Sequence, residues 1–187
     1  MAILGRGAFA RWGRILAAGL WWLLLPAAVA QPIAREYQVK AVFLFNFTQF
    51  VEWPAAAFPA PNAPLIIGIM GDDPIGPFLE EAIRDEKAGD HPLELRRFQR
   101  GEPVDCHVFY LNRSETNRLG PMLDGLGGKP VLTVSDADFA ARRGAMIRFL
   151  NENNRIRLRI NLEAARRSNL TISSKLLRSA EIVKDTR

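Results

Sequence analysis

Residues 35–53, REYQVKAVFLFNFTQFVEW, contain no Gly or Pro and constrain the fold more than any other stretch. Charge is confined to the ends, at Arg35, Glu36 and Lys40 and then at Glu52. Between Ala41 and Val51 polarity is limited to Asn46, Thr48 and Gln49, while Phe43, Phe45, Phe47, Phe50 and then Trp53 add aromatic bulk. A helix that is apolar around most of its circumference must be buried around most of it. The rest of the chain must therefore supply a surface large enough to cover it. Burial in a core is the common fate of such a stripe; the alternative is that part of the helix contacts a partner.

The covering surface reads as a sheet. Residues 65–70 (LIIGIM) form a short apolar run expected to be a buried strand. Gly71-Asp72-Asp73-Pro74 turns into a helix expected over residues 75–86. Residues 93–98 (LELRRF), 106–111 (CHVFYL) and 131–134 read as further strands, with a helix from Ser114 to about Leu126 between the last two. Residues 146–150 (MIRFL), an Asn151-Glu152-Asn153-Asn154 turn and residues 156–160 predict a β-hairpin, because Asn tolerates left-handed backbone. Along its second strand Arg155, Arg157 and Arg159 face one way. Two helices are expected at the C-terminus, over residues 162–168 and from Ser173-Ser174 through Ile182. The sum is a single α/β domain with a mixed sheet of about six strands, flanking helices, a terminal β-hairpin and C-terminal helices. Loops near Asp72-Asp73 and Ser135-Asp136 then fall at the carboxyl ends of strands, where open α/β sheets bind ligands.

The first thirty residues differ in kind. Arg6, Arg11 and Arg14 precede an uninterrupted apolar run, ILAAGLWWLLL, followed by Pro26 and Ala28-Val29-Ala30. This is the layout of a secretory signal peptide cleaved after Ala30, leaving a domain of residues 31–187. A retained anchor is the alternative, but the apolar run is short of the roughly 20 residues that a span needs. Without the three leader arginines, 22 basic side chains face 20 acidic ones, so the basic balance gives no support for a nucleic-acid binder. Residues 142–187 nevertheless carry 12 basic and 4 acidic side chains, and Arg155, Arg157, Arg159, Arg166, Arg167, Lys175 and Arg178 are the strongest polar feature. They read as a solvated face or as a surface for an acidic partner or an anionic ligand. One Cys excludes an internal disulfide framework; Cys106 is either a small buried residue or free for an intermolecular bridge.

No catalytic constellation emerges. The Asp72-Asp73 pair at a helix start would repel phosphate and is read as a cap. Gly125-Leu126-Gly127-Gly128-Lys129-Pro130 is not a P-loop, since Pro follows the Lys and a strand follows the Pro. Asp105-Cys106-His107 has metal-ligand letters, but no second His cluster accompanies it. Neither GxSxG nor a local His-nucleophile pair is present. No enzyme activity, metal or cofactor is therefore expected.

Several blocks in order do carry information: YQVKAVFLFNFTQFVEWP (37–54), PLIIGIMGDDPIG (64–76), PVLTVSD (130–136), GAMIRFL (144–150) and NLEAARRSNLTISSKLLRSAEIV (161–183). Together they resemble the YfiR family of periplasmic proteins, best known as repressors of a membrane-bound diguanylate cyclase. The resemblance implies an exported, non-catalytic α/β protein of the periplasm, expected as a homodimer. Its partner would be the periplasmic sensor part of a diguanylate cyclase, or another sensor protein with a periplasmic domain. It would hold the cyclase inactive and lower cyclic di-GMP signalling and biofilm formation. The contact residues singled out are Trp53, Asn161, Glu163, Arg166 and Lys175, with capping as the alternative for Asn161 and Glu163. With Cys106 alone, disulfide-based redox control is not implied. A small-molecule binding protein for an anionic or amino-acid-like ligand is the competing expectation.

Overall fold

The computed structural model describes residues 30–184. The expected signal peptide lies outside the described residues. Among those described, no helix is long and apolar enough to cross a membrane.

The aromatic stretch forms α1 (Ala30–Phe50) and runs directly into a two-residue strand, β1 (Val51–Glu52). Next come β2 (Leu65–Met70), α2 (Gly76–Ile83), β3 (Lys87–Ala88), β4 (His91–Phe98) and β5 (Val108–Leu111). A 3-10 turn over Arg113–Arg118 leads to α3 (Leu119–Gly125), β6 (Leu132–Ser135), and the hairpin β7 (Ile147–Glu152) and β8 (Arg155–Asn161). The chain closes with α4 (Leu162–Arg167), β9 (Thr171–Ile172), α5 (Ser174–Leu177) and β10 (Ala180–Val183).

The fold is mixed α/β, with eight strands in the order β10-β8-β7-β6-β5-β2-β4-β3 and a small antiparallel pair, β1 and β9. The five strands from β4 to β7 in that order are parallel neighbours. β2 starts in the middle; the chain crosses over α2 to β4 on one side, then returns to the other side for β5, β6 and β7. The order therefore reverses between β2 and β5, which makes the carboxyl ends of those two strands the topological switch point.

Burial on both faces explains the apolar runs. All four residues of β5 are buried. Val108 and Tyr110 join the α1 side with Ala41, Leu44 and Phe47; Phe109 and Leu111 join the α3 side with Met70, Phe98 and Leu119. On the α1 side the rings of Phe47 and Phe149 stack at 5.9 Å, with Phe43 at 6.2 and 6.0 Å from them. Val39 and Val42 are exposed, so α1 is less enclosed than its composition predicts.

The hairpin turns through Asn153 and Asn154, both at positive φ (51° and 62°), which fits the twist of two-residue hairpin loops. The short strands β1, β3 and β9 raise the strand count above the six expected, and two further elements differ from expectation. The first half of the helix expected from Ser114 to about Leu126 is a 3-10 turn capped by Asn112, whose Oδ1 accepts the Ser114 amide at 2.9 Å, and the second half is α3. The last helix stops at Leu177, and residues 180–183 add to the sheet edge, parallel to β8. A single helical turn gains little by propagation, whereas Ala-Glu-Ile-Val finds a ready edge on β8.

Cys106 is buried, and burial pushes its thiol up to about 12. The thiolate needed for disulfide exchange is then scarce. Cys106 is expected to react with a thiol reagent only as fast as the domain unfolds; rapid labelling in native buffer would contradict this.

Candidate functional site

The switch point is built around a buried lysine. Lys40 lies one turn after Glu36 on α1 and is 2% exposed. Its Nζ pairs with Glu36 Oε1 and Asp136 Oδ2, both at 2.7 Å, and sits 5.1 Å from the centre of the Tyr37 ring. Asp136, just past β6, uses its other oxygen to accept the Arg113 amide at 2.7 Å. Glu36 also accepts from Asn151 Nδ2 at 2.6 Å. Burial opposes ionisation of Glu36, but Lys40 and Asn151 outweigh it and hold its pKa below the usual carboxylate range. One ion cluster thus ties α1 to the loops after β5 and β6 and to the hairpin.

Between the loops after β2 and β5 lies a cleft of about 510 Å³, lined by Tyr37, Asp72, Asp73, Pro74, Asn112, Arg113 and Ser114. Ser114 Oγ accepts the Asp72 amide at 3.0 Å and so joins the two loops. Gly71 has φ +98°, and a Cβ there would meet Ser114 Oγ at 2.7 Å, so only glycine fits this close approach. Asp73 is occupied: Oδ1 accepts the Gly76 amide and Oδ2 the Arg97 Nε, both at 2.6 Å.

Beside the cleft, residues 136–144 form a loop held from several directions. Asp136 is fixed by Lys40, Asp138 pairs with Arg148 on β7 at 2.5 Å, and Ala137, Ala140 and Ala141 are buried. Asn161 Nδ2 donates to the Ala141 carbonyl at 3.0 Å. At the loop tip Phe139 is 57% exposed and has φ 60°. A bulky residue in left-handed backbone is an outlier that persists only where the surroundings impose it.

The residues singled out from the sequence have different fates. Asn161 is fully buried and caps α4, accepting the Ala164 amide at 3.0 Å. It supports the Phe139 loop and leaves no side-chain atom for a partner. Trp53 is half-buried, packs on the core and donates Nε1–H to the His107 carbonyl at 3.2 Å. Glu163 and Arg166 on α4 and Lys175 on α5 are exposed. None of the five lines the switch-point cleft. Sequence reasoning placed Asp72 and Asp136 at strand ends but missed Lys40, Arg113 and Phe139. The available signal was Lys40 itself, a charge one residue before an apolar helical run.

Among the described residues, no cluster of three or more His, Cys, Asp or Glu is placed to hold a metal ion. His107 instead clasps the segment after β1. Its Nδ1 accepts the Ile66 amide at 3.0 Å, so the neutral ring carries its proton on Nε2, which donates to the Ala57 carbonyl at 3.1 Å. Phe58 stacks on His107 at 4.5 Å and on His91 at 3.7 Å. Burial, more than any other influence, lowers the pKa of His107. The fold therefore favours the neutral ring, and stability present above the unfolded value of about 6.5 is lost as pH falls through the lower folded value. The melting temperature is expected to drop between about pH 7 and 5, and His107→Gln is expected to flatten that drop. The lowered carboxylates Glu36, Glu102 and Glu115 act only at more acid pH. An unchanged slope in the variant would contradict this assignment.

Comparison with curated proteins finds no match. Comparison with protein families matches residues 37–181, from the Tyr37 turn of α1 to β10, with a family described as YfiR/HmsC-like. The match includes Lys40, Asp72, Arg113, Asp136, Phe139 and Asn161 within one continuous domain, and on this ground the chain belongs to the YfiR/HmsC-like family.

Proposed function

We propose that this protein is an exported, non-catalytic regulator that binds the periplasmic sensor part of a membrane diguanylate cyclase and holds the cyclase inactive. Family membership supports the class of partner. The observation that carries a docking role is Phe139, an exposed aromatic in unfavourable backbone on a loop pinned by Lys40, Arg148 and Asn161. Backbone strain of about 1–3 kcal/mol is kept where it serves a site, and a rigid exposed aromatic is the usual anchor of a binding hot spot. Glu163, Arg166 and Lys175 are the charged contacts in this reading, while Trp53 and Asn161 hold the surfaces that present them.

Repression follows from differential affinity. The regulator has to bind the inactive cyclase state more tightly than the active one. Driving the cyclase from almost fully active to almost fully inactive takes a preference of about 10⁴-fold. Deleting the gene is expected to raise cyclic di-GMP, and deleting the cyclase as well is expected to abolish the rise. Unchanged cyclic di-GMP in the first strain, with a fall on deleting the cyclase alone, would contradict the proposal.

A further inference from the structure

Residues 53–64 (WPAAAFPAPNAP) link β1 to β2 across the amino ends of the central strands. None of them is fully buried, although Trp53 and Phe58 pack partly on the core. Pro54, Pro59, Pro61 and Pro64 have no N–H to give to a ladder. The amides of Ala57, Phe58 and Ala63 close short turns within the segment itself. Among the described residues, three side-chain hydrogen bonds tie it to the rest of the fold. Trp53 Nε1 donates to the His107 carbonyl at 3.2 Å, His107 Nε2 to the Ala57 carbonyl at 3.1 Å, and His91 Nδ1 to the Ala63 carbonyl at 2.7 Å. Phe58 lies between the two imidazoles, stacked on His91 at 12° and on His107 at 17°. Both histidines belong to the sheet: His91 opens β4 and His107 immediately precedes β5. A segment with so few buried contacts opens locally at a lower free energy than the core beneath it.

The hold at His107 requires a neutral ring. Its Nδ1 accepts the Ile66 amide at 3.0 Å, and a proton on Nδ1 would set two donors against each other across that distance. Ile66 is fixed in β2 by pairing with β4. The ring is therefore the part that has to move, and the Ala57 bond and the Phe58 stack move with it. His91 meets no such conflict, because its Nδ1 donates to Ala63 whether or not the ring is charged. Burial is the largest influence against charging His107. The Ala57 carbonyl and the Asp105 carboxylate favour the charged ring, and His91, across Phe58, opposes it.

We propose that residues 53–64 form an acid-released flap, clasped over the amino ends of β2, β4 and β5 by neutral His107 and opened, with the sheet intact, when that ring takes up a proton. The flap lies at the end of the strands away from the switch-point cleft. It starts directly after β1, which pairs with β9, and Ser173, the cap of α5, donates its amide to the Phe50 carbonyl. Release of Trp53 therefore loosens the end of the β1–β9 pair, next to the turn that carries Lys175. A partner docked on that turn would be held less firmly as the compartment acidifies. This consequence rests on the proposed function; the flap itself does not, and it can fail while that reading stands.

The test is amide hydrogen exchange of the purified full chain from about pH 7.5 to 5.5, with each rate corrected for its intrinsic pH dependence. The amides of Ala57, Phe58, Ala63 and Ile66 are expected to lose about tenfold in protection over that range. That is the factor for a group that ordinarily titrates near 6.5 and has to be neutral while clasped. They are also expected to stay far less protected than the amides of β6 and to be unaffected by low urea, since a local opening exposes little surface. His107→Gln, which keeps a donor for Ala57 and does not titrate, is expected to remove the pH dependence. In the wild type, an NMR titration of the His107 ring is expected to share its midpoint with the flap. Protection that stays flat with pH would overturn the proposal. So would flap amides that match β6 in protection and urea response, a pH dependence that persists in His107→Gln, or a ring midpoint separate from that of the flap.

Discussion

Replacing Lys40 by methionine is expected to cost about 3–5 kcal/mol of stability, the loss typical of breaking a buried ion pair from one side. The side chain is 3% exposed and Asp136 only 4%, so water cannot take over the role of the ammonium. The methionine fills similar volume but leaves Asp136 and Glu36 with no directly paired cation, Arg113 acting on Glu36 only at longer range. Asp136 would keep only the Arg113 amide, and Glu36 only Asn151. For a domain of this size each kcal/mol moves the melting temperature by about 2–4 °C. Denaturant titration is the direct measurement. Adding Asp136→Asn to Lys40→Met is expected to recover part of the loss, because it removes the stranded charge. A Lys40→Met protein within about 1 kcal/mol of wild type would show that the cluster is solvated and does not organise the loops.

Phe139→Gly is expected to do the opposite: weaken partner binding strongly and leave stability intact. Phe139 is 57% exposed, so little apolar burial is lost in the free protein. Glycine also accepts φ 60° without strain, a relief of about 1–2 kcal/mol. Its greater unfolded-state freedom offsets about 0.5–1 kcal/mol of that gain. The melting temperature should therefore be unchanged or slightly higher. Loss of an aromatic anchor typically costs 2 kcal/mol or more of binding, about thirtyfold in affinity. Asn161→Ala should also weaken binding, but with a stability loss, because it removes the α4 cap and the bond to Ala141 together. The contrast between the two variants separates a residue that touches the partner from one that positions the loop. A Phe139→Gly protein that binds like wild type would remove Phe139 from the interface.

Much of the fold could be read from local signals. The aromatic helix, the buried strand at Leu65–Met70 and the Asn-turned hairpin each follow from pattern and turn chemistry. β10 was not legible, because its four residues acquire strand character only by docking on β8. The two residues of β3 and the β1–β9 pair are too short to carry a periodic signal. The cleft was partly legible: Asp72 and Asp136 lie at strand ends, as the strand–helix pattern indicates. Lys40 was not, because α1 starts earlier than its aromatic pattern and so places a charge expected near the helix end in its middle. Phe139 could not be read at all. Its meaning rests on a backbone angle and on contacts from Lys40, far away in sequence, and from Arg148 and Asn161 on the hairpin.

The most direct test of the central claim is a pull-down from a detergent extract of the host's membranes, with wild-type protein and the Phe139→Gly variant run side by side. The wild type is expected to retain a membrane protein that has a periplasmic domain and a cytoplasmic diguanylate cyclase domain, and the variant to retain little of it. Failure of the wild type to retain any such cyclase would contradict the account.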